Sequence, residues 1–235
     1  MPTTRLQETL VIIEARKLIG ESLQATFTTA NVFSNVRVIE DFLPKITGPI
    51  IFLIVVHSYL RGCQTIQKVQ STHPNATIVV LDEQFRSGGG LLIRDTIVHG
   101  YWTFHDTTQE ILQGIIRAVH RSPSLSLYTS NHLRYSRRKG VQIAPCLLEH
   151  PFYKLSRRER ELFHLIACGE KIEACAAEMN ITKKTACNLR EKLMKKFNVQ
   201  SEADLIWQAL EAGLVDLDIG KKRNKYLNIL VEGRE

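Results

Sequence analysis

Aromatic residues make up only 7% of the 235 residues, with two tryptophans and three methionines, so no aromatic-rich surface or girdle is available. The chain also lacks a long hydrophobic run. Its longest, Pro49 to Val56, falls far below the ~18 residues that a membrane span needs. The opening MPTTRLQETLVII carries one basic residue and too short an apolar stretch for a secretory signal, so a cytoplasmic protein without membrane contact is expected. Cysteine is scattered as Cys63, Cys146, Cys168, Cys175 and Cys187, with no CxxC pair, which argues against a zinc knuckle or a thioredoxin-like site. The spacing of Cys168, Cys175 and Cys187 fits no common metal pattern. The cysteines read as small hydrophobes in a reducing compartment, and neither a metal nor a cofactor is expected.

What is present is enough for a core. Apolar residues reach 44% and charged residues 23%, near the globular average of ~25%, which excludes wholesale disorder. At about 100–200 residues per domain, one large or two small domains are expected. The net charge of +7 is unevenly placed. Residues 1–122 hold 11 Lys and Arg against 10 Asp and Glu, and residues 154–217 repeat the same balance. Most of the excess lies elsewhere, in Arg134 with Arg137-Arg138-Lys139 and in Lys221-Lys222-Arg223 with Lys225. A shorter window, Thr182 to Lys196, has six cations (Lys183, Lys184, Arg190, Lys192, Lys195, Lys196) and one anion, Glu191.

The first half alternates strand and helix patterns. Leu10 to Ile13, Pro49 to Val56, Thr77 to Leu81 and Tyr101 to Phe104 read as strands, and Lys17 to Phe27 and Ile111 to His120 as helices. PIIFLIVV is rich in β-branched residues, as a strand buried on both faces should be. Alternation of this kind predicts βαβ units and a parallel sheet. Ser122-Pro123-Ser124 ends this half. Residues 123–153 carry prolines, serines and a basic run with little periodicity, and they read as a basic linker containing a short helix around Tyr128 to Tyr135.

From Lys154 the pattern is all-helical. Ser156 and Glu159 form a capping box, Leu162, Phe163, Ile166 and Ala167 form a stripe, and Gly169 is the stop. Ile172 to Met179 follows. Asn180-Ile181 then turns into Thr182, which caps a third helix with Ala186, Leu189, Leu193 and Phe197 on one face. A fourth helix runs from Ser201-x-x-Asp204 to Ala212. Two short helices with a basic, amphipathic second member fit helix-turn-helix geometry; an ordinary bundle with a solvated basic face fits the pattern as well.

These residues resemble the LuxR/NarL-type helix-turn-helix of response regulators. Leu155, Ser156, Arg158 and Glu159 match the opening motif; Leu165, Ile166, Ala167 and Gly169 match the next segment. Cys175-Ala176-Ala177-Glu178-Met179 stands for the scaffold helix, and Thr185-Ala186-Cys187 opens the recognition helix. Departures are Cys187 for the family's Lys, Ala186 for its Val and Leu189 for its His, and Arg190 falls where an apolar residue is common. The resemblance implies double-stranded DNA as partner, with Lys183, Lys184, Thr185, Cys187, Asn188, Glu191, Lys192 and Lys195 facing it. Lysines there can neutralise phosphates, Asn188 can pair with adenine, and Glu191 can accept from cytosine.

The first half resembles a receiver domain of the flavodoxin-like class, through its strand order and His99-Gly100-Tyr101. By that resemblance the phosphoacceptor position falls at Ile54, the acid pair at Glu14-Ala15, the switch position at Asp82 and the lysine position at Phe104. An aliphatic side chain takes no phosphoryl group, and one carboxylate is a poor Mg²⁺ site. A pseudo-receiver with no phosphorylation site is expected.

Asp82, Glu83 and Glu14 near strand ends leave a surviving cation site conceivable, but solvated loop carboxylates explain them more simply. His57 reads as the residue that closes a strand rather than as a catalytic group. Ser87-Gly88-Gly89-Gly90 lacks P-loop spacing and reads as a flexible loop.

The expected organisation is therefore a receiver-like α/β domain over 1–122, a basic linker over 123–153, a four-helix all-α domain over 154–217 and a basic tail over 218–235. The expected function is DNA-binding transcription regulation independent of aspartyl phosphorylation, not enzymatic, with a homodimer expected; the stripe Leu205, Ile206, Ala209 and Leu210 resembles the dimer helix of the family and is equally well explained as core. The receiver-like half would take a partner protein or small ligand. The alternative is a protein-interaction module that has lost sequence-specific DNA binding.

Overall fold

The computed structural model describes residues 6–40, 48–83, 85–129, 131–144 and 151–215. The chain divides into two compact units near residue 146. Cys146, the end of the expected linker and the basic tail lie outside the described residues.

The first unit is a five-stranded sheet of β1 (Thr9–Ile13), β2 (Asn35–Ile39), β3 (Ile50–Val56), β4 (Thr77–Asp82) and β5 (Gly100–Thr103), in the order β2-β1-β3-β4-β5. Every pairing is parallel, with Ile13 opposite Ile54 and Val56 opposite Asp82. This is the doubly wound order of flavodoxin-like folds. The reason is written in β3, where all seven residues are buried. Ile50, Phe52, Ile54 and Val56 enter one core with Val11, Ile13, Ile78 and Val80, while Ile51, Leu53 and Val55 enter the other with Leu10, Ile12, Val79 and Leu81. A strand apolar on both faces requires a layer on each side.

Helices α1 (Lys17–Thr29), α2 (Tyr59–Thr72), α3 (Ser87–Asp95) and α4 (Thr108–Val119) supply those layers. Phe27 from α1 and Ile111, Ile115 and Ala118 from α4 cover one face. Cys63, Ile66 and Val69 from α2 and Leu92 and Ile93 from α3 cover the other. Thr107 and Glu110 form a reciprocal capping box that starts α4. Residues Ser87 to Gly90, expected as a flexible loop, are instead the first turn of α3. β2 and α2 carry weak patterns: β2 is an edge strand with exposed Asn35 and Arg37, and α2 shows its stripe through a mostly polar sequence.

The segment expected as a linker is, in its described part, an extension of this unit. Residues 124–126 run beside β5, with the Tyr101 N–H donating to the Ser124 carbonyl at 3.0 Å and the Ser126 N–H to the Tyr101 carbonyl at 3.0 Å. The expected short helix is a single 3-10 turn at Leu127–Thr129, followed by the antiparallel hairpin of β6 (Leu133–Ser136) and β7 (Gly140–Ile143). Leu133 and Val141 from the hairpin are buried in the core. Serines and a basic run concealed a two-residue alternation too short to read.

The second unit has a 3-10 turn at Pro151–Lys154 and helices α5 (Arg157–Ala167), α6 (Ile172–Glu178), α7 (Lys183–Phe197) and α8 (Glu202–Glu211). Ser156 and Glu159 form the expected capping box on α5, and Ser201 and Asp204 form another on α8. Gly169 takes φ +74° at the stop of α5, a left-handed value suited to glycine. Leu162, Phe163, Ile166, Cys175, Ala176, Ala186, Leu193 and Phe197 are buried. Phe163 stacks on Phe197 with centroids 4.9 Å apart, and Phe152 closes on Phe197 at 4.7 Å. Among the described residues no helix is long and apolar enough to cross a membrane.

One close contact sets a test of the sheet cover. Trp102 is 2% exposed, donates from Nε1 to Ser124 Oγ at 3.0 Å and lies against Gly114 of α4, where an added Cβ would strike the indole ring. Gly114→Ala is expected to destabilise the chain by about 1–3 kcal/mol, the usual cost of overpacking. A lower urea midpoint at unchanged slope is the expected reading; an unchanged midpoint would mean that α4 can lift off Trp102 without penalty.

Candidate nucleic-acid interface

Helix α7 begins where Thr182 accepts a hydrogen bond from the Thr185 N–H at 3.2 Å. Asn180 precedes it at φ +53°, in the left-handed region that asparagine tolerates, and reverses the chain between α6 and α7. Arg158 of α5 donates to the Met179 carbonyl at 3.1 Å and so ties the end of α6 to the first helix. The turn of the helix-turn-helix is therefore held by backbone geometry and one guanidinium.

The six cations of the Thr182–Lys196 window divide into two groups. Lys196 donates to Glu159 Oε2 at 2.8 Å, joining the end of α7 to the capping box of α5. Arg190 pairs with Glu202 at 2.7 Å, and Lys183 pairs with Glu173 of α6 at 2.6 Å. Lys184, Lys192 and Lys195 are exposed and form no ion pair among the described residues. Thr185, Asn188 and Glu191 are exposed too, while Cys187 is half-buried. Helical spacing sets Lys184, Asn188, Glu191 and Lys195 in one strip beside the buried Ala186, Leu193 and Phe197. Arg190, which stands at a position usually apolar, is explained by its partner on α8.

Charge is managed inside this unit. Burial pushes the Glu159 carboxyl up, but hydrogen bonds from Lys196 and the Ser156 N–H hold it below the usual carboxylate range. Burial pushes the Cys175 thiol up to about 11, so it is a neutral core residue. The stripe expected to form a dimer contact, Leu205, Ile206 and Ala209, is buried in the unit's own core at 0%, 3% and 0% exposure, with Leu210 half-buried. Amphipathic spacing alone does not distinguish a core stripe from an interface stripe.

At the carboxyl ends of the strands in the first unit, the receiver-like positions are filled differently. Ile54 is 1% exposed and lies inside β3, packed among Ile13 and Val80. Asp82 is buried and accepts a short hydrogen bond from the Tyr101 hydroxyl. Glu14 is buried, accepts from the Arg16 N–H at 2.7 Å and meets His57 Nε2 at 3.0 Å. Glu83 accepts from the Arg16 guanidinium at 2.5 Å and lies 3.5 Å from His57 Nδ1. Burial pushes the Glu14 carboxyl up, but His57 and Arg16 hold it below the usual range. Glu14 and Glu83 are thus neither loose loop carboxylates nor turned to a cation, because Arg16 and His57 reach both. His57 does more than close its strand. Arg16 was not singled out by the sequence reading, and only the proximity of β1 and β4 ends reveals it. Phe104 is 41% exposed just beyond β5.

A parallel α/β unit is thus followed in the chain by a helical unit that carries a helix-turn-helix. Residues 153–209 match the family of bacterial regulatory proteins, luxR family. The chain is 23% identical over 159 residues to the response regulator UvrY of Escherichia coli K12, covering 68% of this chain and 71% of that protein. It is 32% identical over 80 residues to the probable transcriptional regulatory protein NarL of Mycobacterium tuberculosis H37Rv, a third of each chain. The RcsB response regulator of Salmonella typhimurium shares the fold, with TM-score 0.56 at 16% identity over 90% of this chain and all of that one. RcsB of Salmonella enterica bound to the promoter rprA gives TM-score 0.55 at 17% identity over 86% and 97%.

His164 on α5 sets a pH test of this domain. Burial pushes its imidazole down to about 4, from an unfolded value near 6.5. The unfolded chain takes up a proton between those values that the native state refuses, so stability is complete above pH 6.5 and falls toward pH 4. His164→Gln should flatten that limb of the denaturation midpoint against pH. An equally steep fall in both chains would assign the loss to other groups.

Proposed function

We propose that this chain is a DNA-binding transcription regulator whose receiver-like domain works without aspartyl phosphorylation. The observation that carries the DNA reading is the outward strip of α7. Arg190 and Lys196 are engaged by Glu202 and Glu159, and the strip of Lys184, Asn188, Glu191 and Lys195 stays exposed, with cations at both ends and base-reading groups between. Lysines neutralise phosphate, and amide and carboxylate side chains read base edges in the major groove. Thr185, Cys187 and Lys192 flank the strip, and Lys183 reaches DNA only by giving up Glu173. RcsB dimers are seen on DNA, and a homodimer of this chain on two half-sites is the corresponding assembly.

Independence from phosphorylation is supported by the aliphatic Ile54 in the core and by the engagement of Glu14 with Arg16 and His57 and of Asp82 with Tyr101. The signal then enters as a partner protein or small ligand. Incubation with acetyl phosphate and Mg²⁺ should leave no acyl phosphate on the first domain; a stable adduct there would overturn this part of the reading.

Lys184→Ala and Lys195→Ala should each weaken binding to all duplexes alike and reduce the salt slope by about one, with Lys183→Ala acting less. Asn188→Ala should relax preference at one base position by about 1–3 kcal/mol while non-specific affinity stays unchanged. Gel shifts across salt and a binding-site selection measure both. Failure to bind duplex DNA at low salt would leave a protein-interaction module as the function.

A further inference from the structure

The basic run Arg137-Arg138-Lys139 lies in the turn between β6 and β7, well away from the strand ends that a receiver uses. Arg137 and Arg138 there line a cavity of about 550 Å³ together with Arg121, His73 and His99. No carboxylate lines it, and among the described residues the three arginines form no ion pair. Its lining also includes the buried Ile78 and the exposed Ile97.

Three observations show that these groups are held in place. Gly140, at φ +69°, brings the hairpin against the Val98 carbonyl so closely that a Cβ would collide with it, and the Val141 N–H donates to the same carbonyl at 2.9 Å. The turn that carries Arg137 and Arg138 is thereby pinned beside His99. Arg121 follows the end of α4 at φ +52°, a left-handed backbone that favours glycine or asparagine. His99 Nδ1 accepts from the Ile78 N–H at 2.9 Å, which leaves its ring proton on Nε2 as a donor.

Two buried polar atoms here have no hydrogen-bond partner among the described residues: His73 Nε2 in the lining, and the Tyr135 hydroxyl, which feels the charges of Arg121 and Arg137. Buried polar atoms are satisfied in most proteins, so the orphan His73 nitrogen in the lining, beside three exposed guanidiniums without a carboxylate partner in that lining, marks a place suited to an acceptor-rich anion.

The geometry points to a binding site for a compact phosphate ester of nucleotide size, with Arg121, Arg137 and Arg138 on the phosphate and Ile78 and Ile97 beside the organic part. Guanidinium forks match phosphate oxygens in pairs, and the volume lies within the range of small-molecule pockets, about 300–1,000 Å³. The site does not depend on the DNA reading above, since none of its residues belongs to the second domain.

The test is calorimetric titration of the full chain with the four common ribonucleoside monophosphates and with pyrophosphate. Saturable one-to-one binding of at least one of these is expected. Arg137→Ala and Arg138→Ala should each weaken it by roughly tenfold or more, the fold-change for losing one charge-assisted hydrogen bond. Arg121→Gly is the decisive variant: it relieves a left-handed arginine, so the thermal midpoint should hold or rise while binding falls. Asn188→Ala should leave ester binding intact, which separates this site from the DNA strip. No saturable binding of any probe would overturn the proposal. So would loss of duplex DNA affinity in the Arg137 and Arg138 variants without any ester binding, which would assign the run to the nucleic-acid backbone.

Discussion

Burial of β3 on both faces is the constraint on which the first domain rests. Seven consecutive apolar residues at the centre of the sheet leave no face for water, so helices must cover both sides and the connections must cross over. Ile54 is part of that burial and not a strand-end group that happens to be aliphatic. It packs against Ile13 and Val80, and an ionised side chain in its place would have to be desolvated without a partner.

Where strands end, charge is neutralised internally. Arg16 binds Glu14 and Glu83, His57 binds Glu14, and Tyr101 binds Asp82. A carboxylate cluster free of such partners would gather cations; this one is closed by side chains of the same domain. The second domain treats charge in a parallel way. Glu159, nearly buried, accepts from the Ser156 N–H and from Lys196 and so couples the start of α5 to the end of α7. Each pairing of this kind engages a cation of α7, and Lys184, Lys192 and Lys195 are left exposed without an ion pair among the described residues.

Much of this was legible before any fold was known. The strands β1, β3, β4 and β5 stood out because they are buried on both faces and therefore continuous in apolar residues. The helices of the second domain stood out because their caps are local: Ser156 with Glu159, Thr182 with Thr185, and Ser201 with Asp204 each lie within one turn. β2 and α2 did not, because an edge strand and a surface helix keep polar residues on their open sides. The hairpin of β6 and β7 was hidden for the same reason, and its serines and arginines passed for a linker. The apolar stripe of α8 was visible, but whether it faced its own core or a second subunit was not.

The sequence by itself determined the two folding classes and the capped helix-turn-helix, since these depend on contacts between near neighbours or on side-chain chemistry alone. Tertiary structure decided which charges remain outside. Lys196 meets Glu159 and Arg190 meets Glu202 across 37 and 12 residues, and Arg16 reaches Glu83 across 67. The same holds for Arg121 and the hairpin arginines, which converge only because Gly140 seats the turn against Val98. Pairings over such distances follow from how helices and strands pack, and no local pattern encodes them.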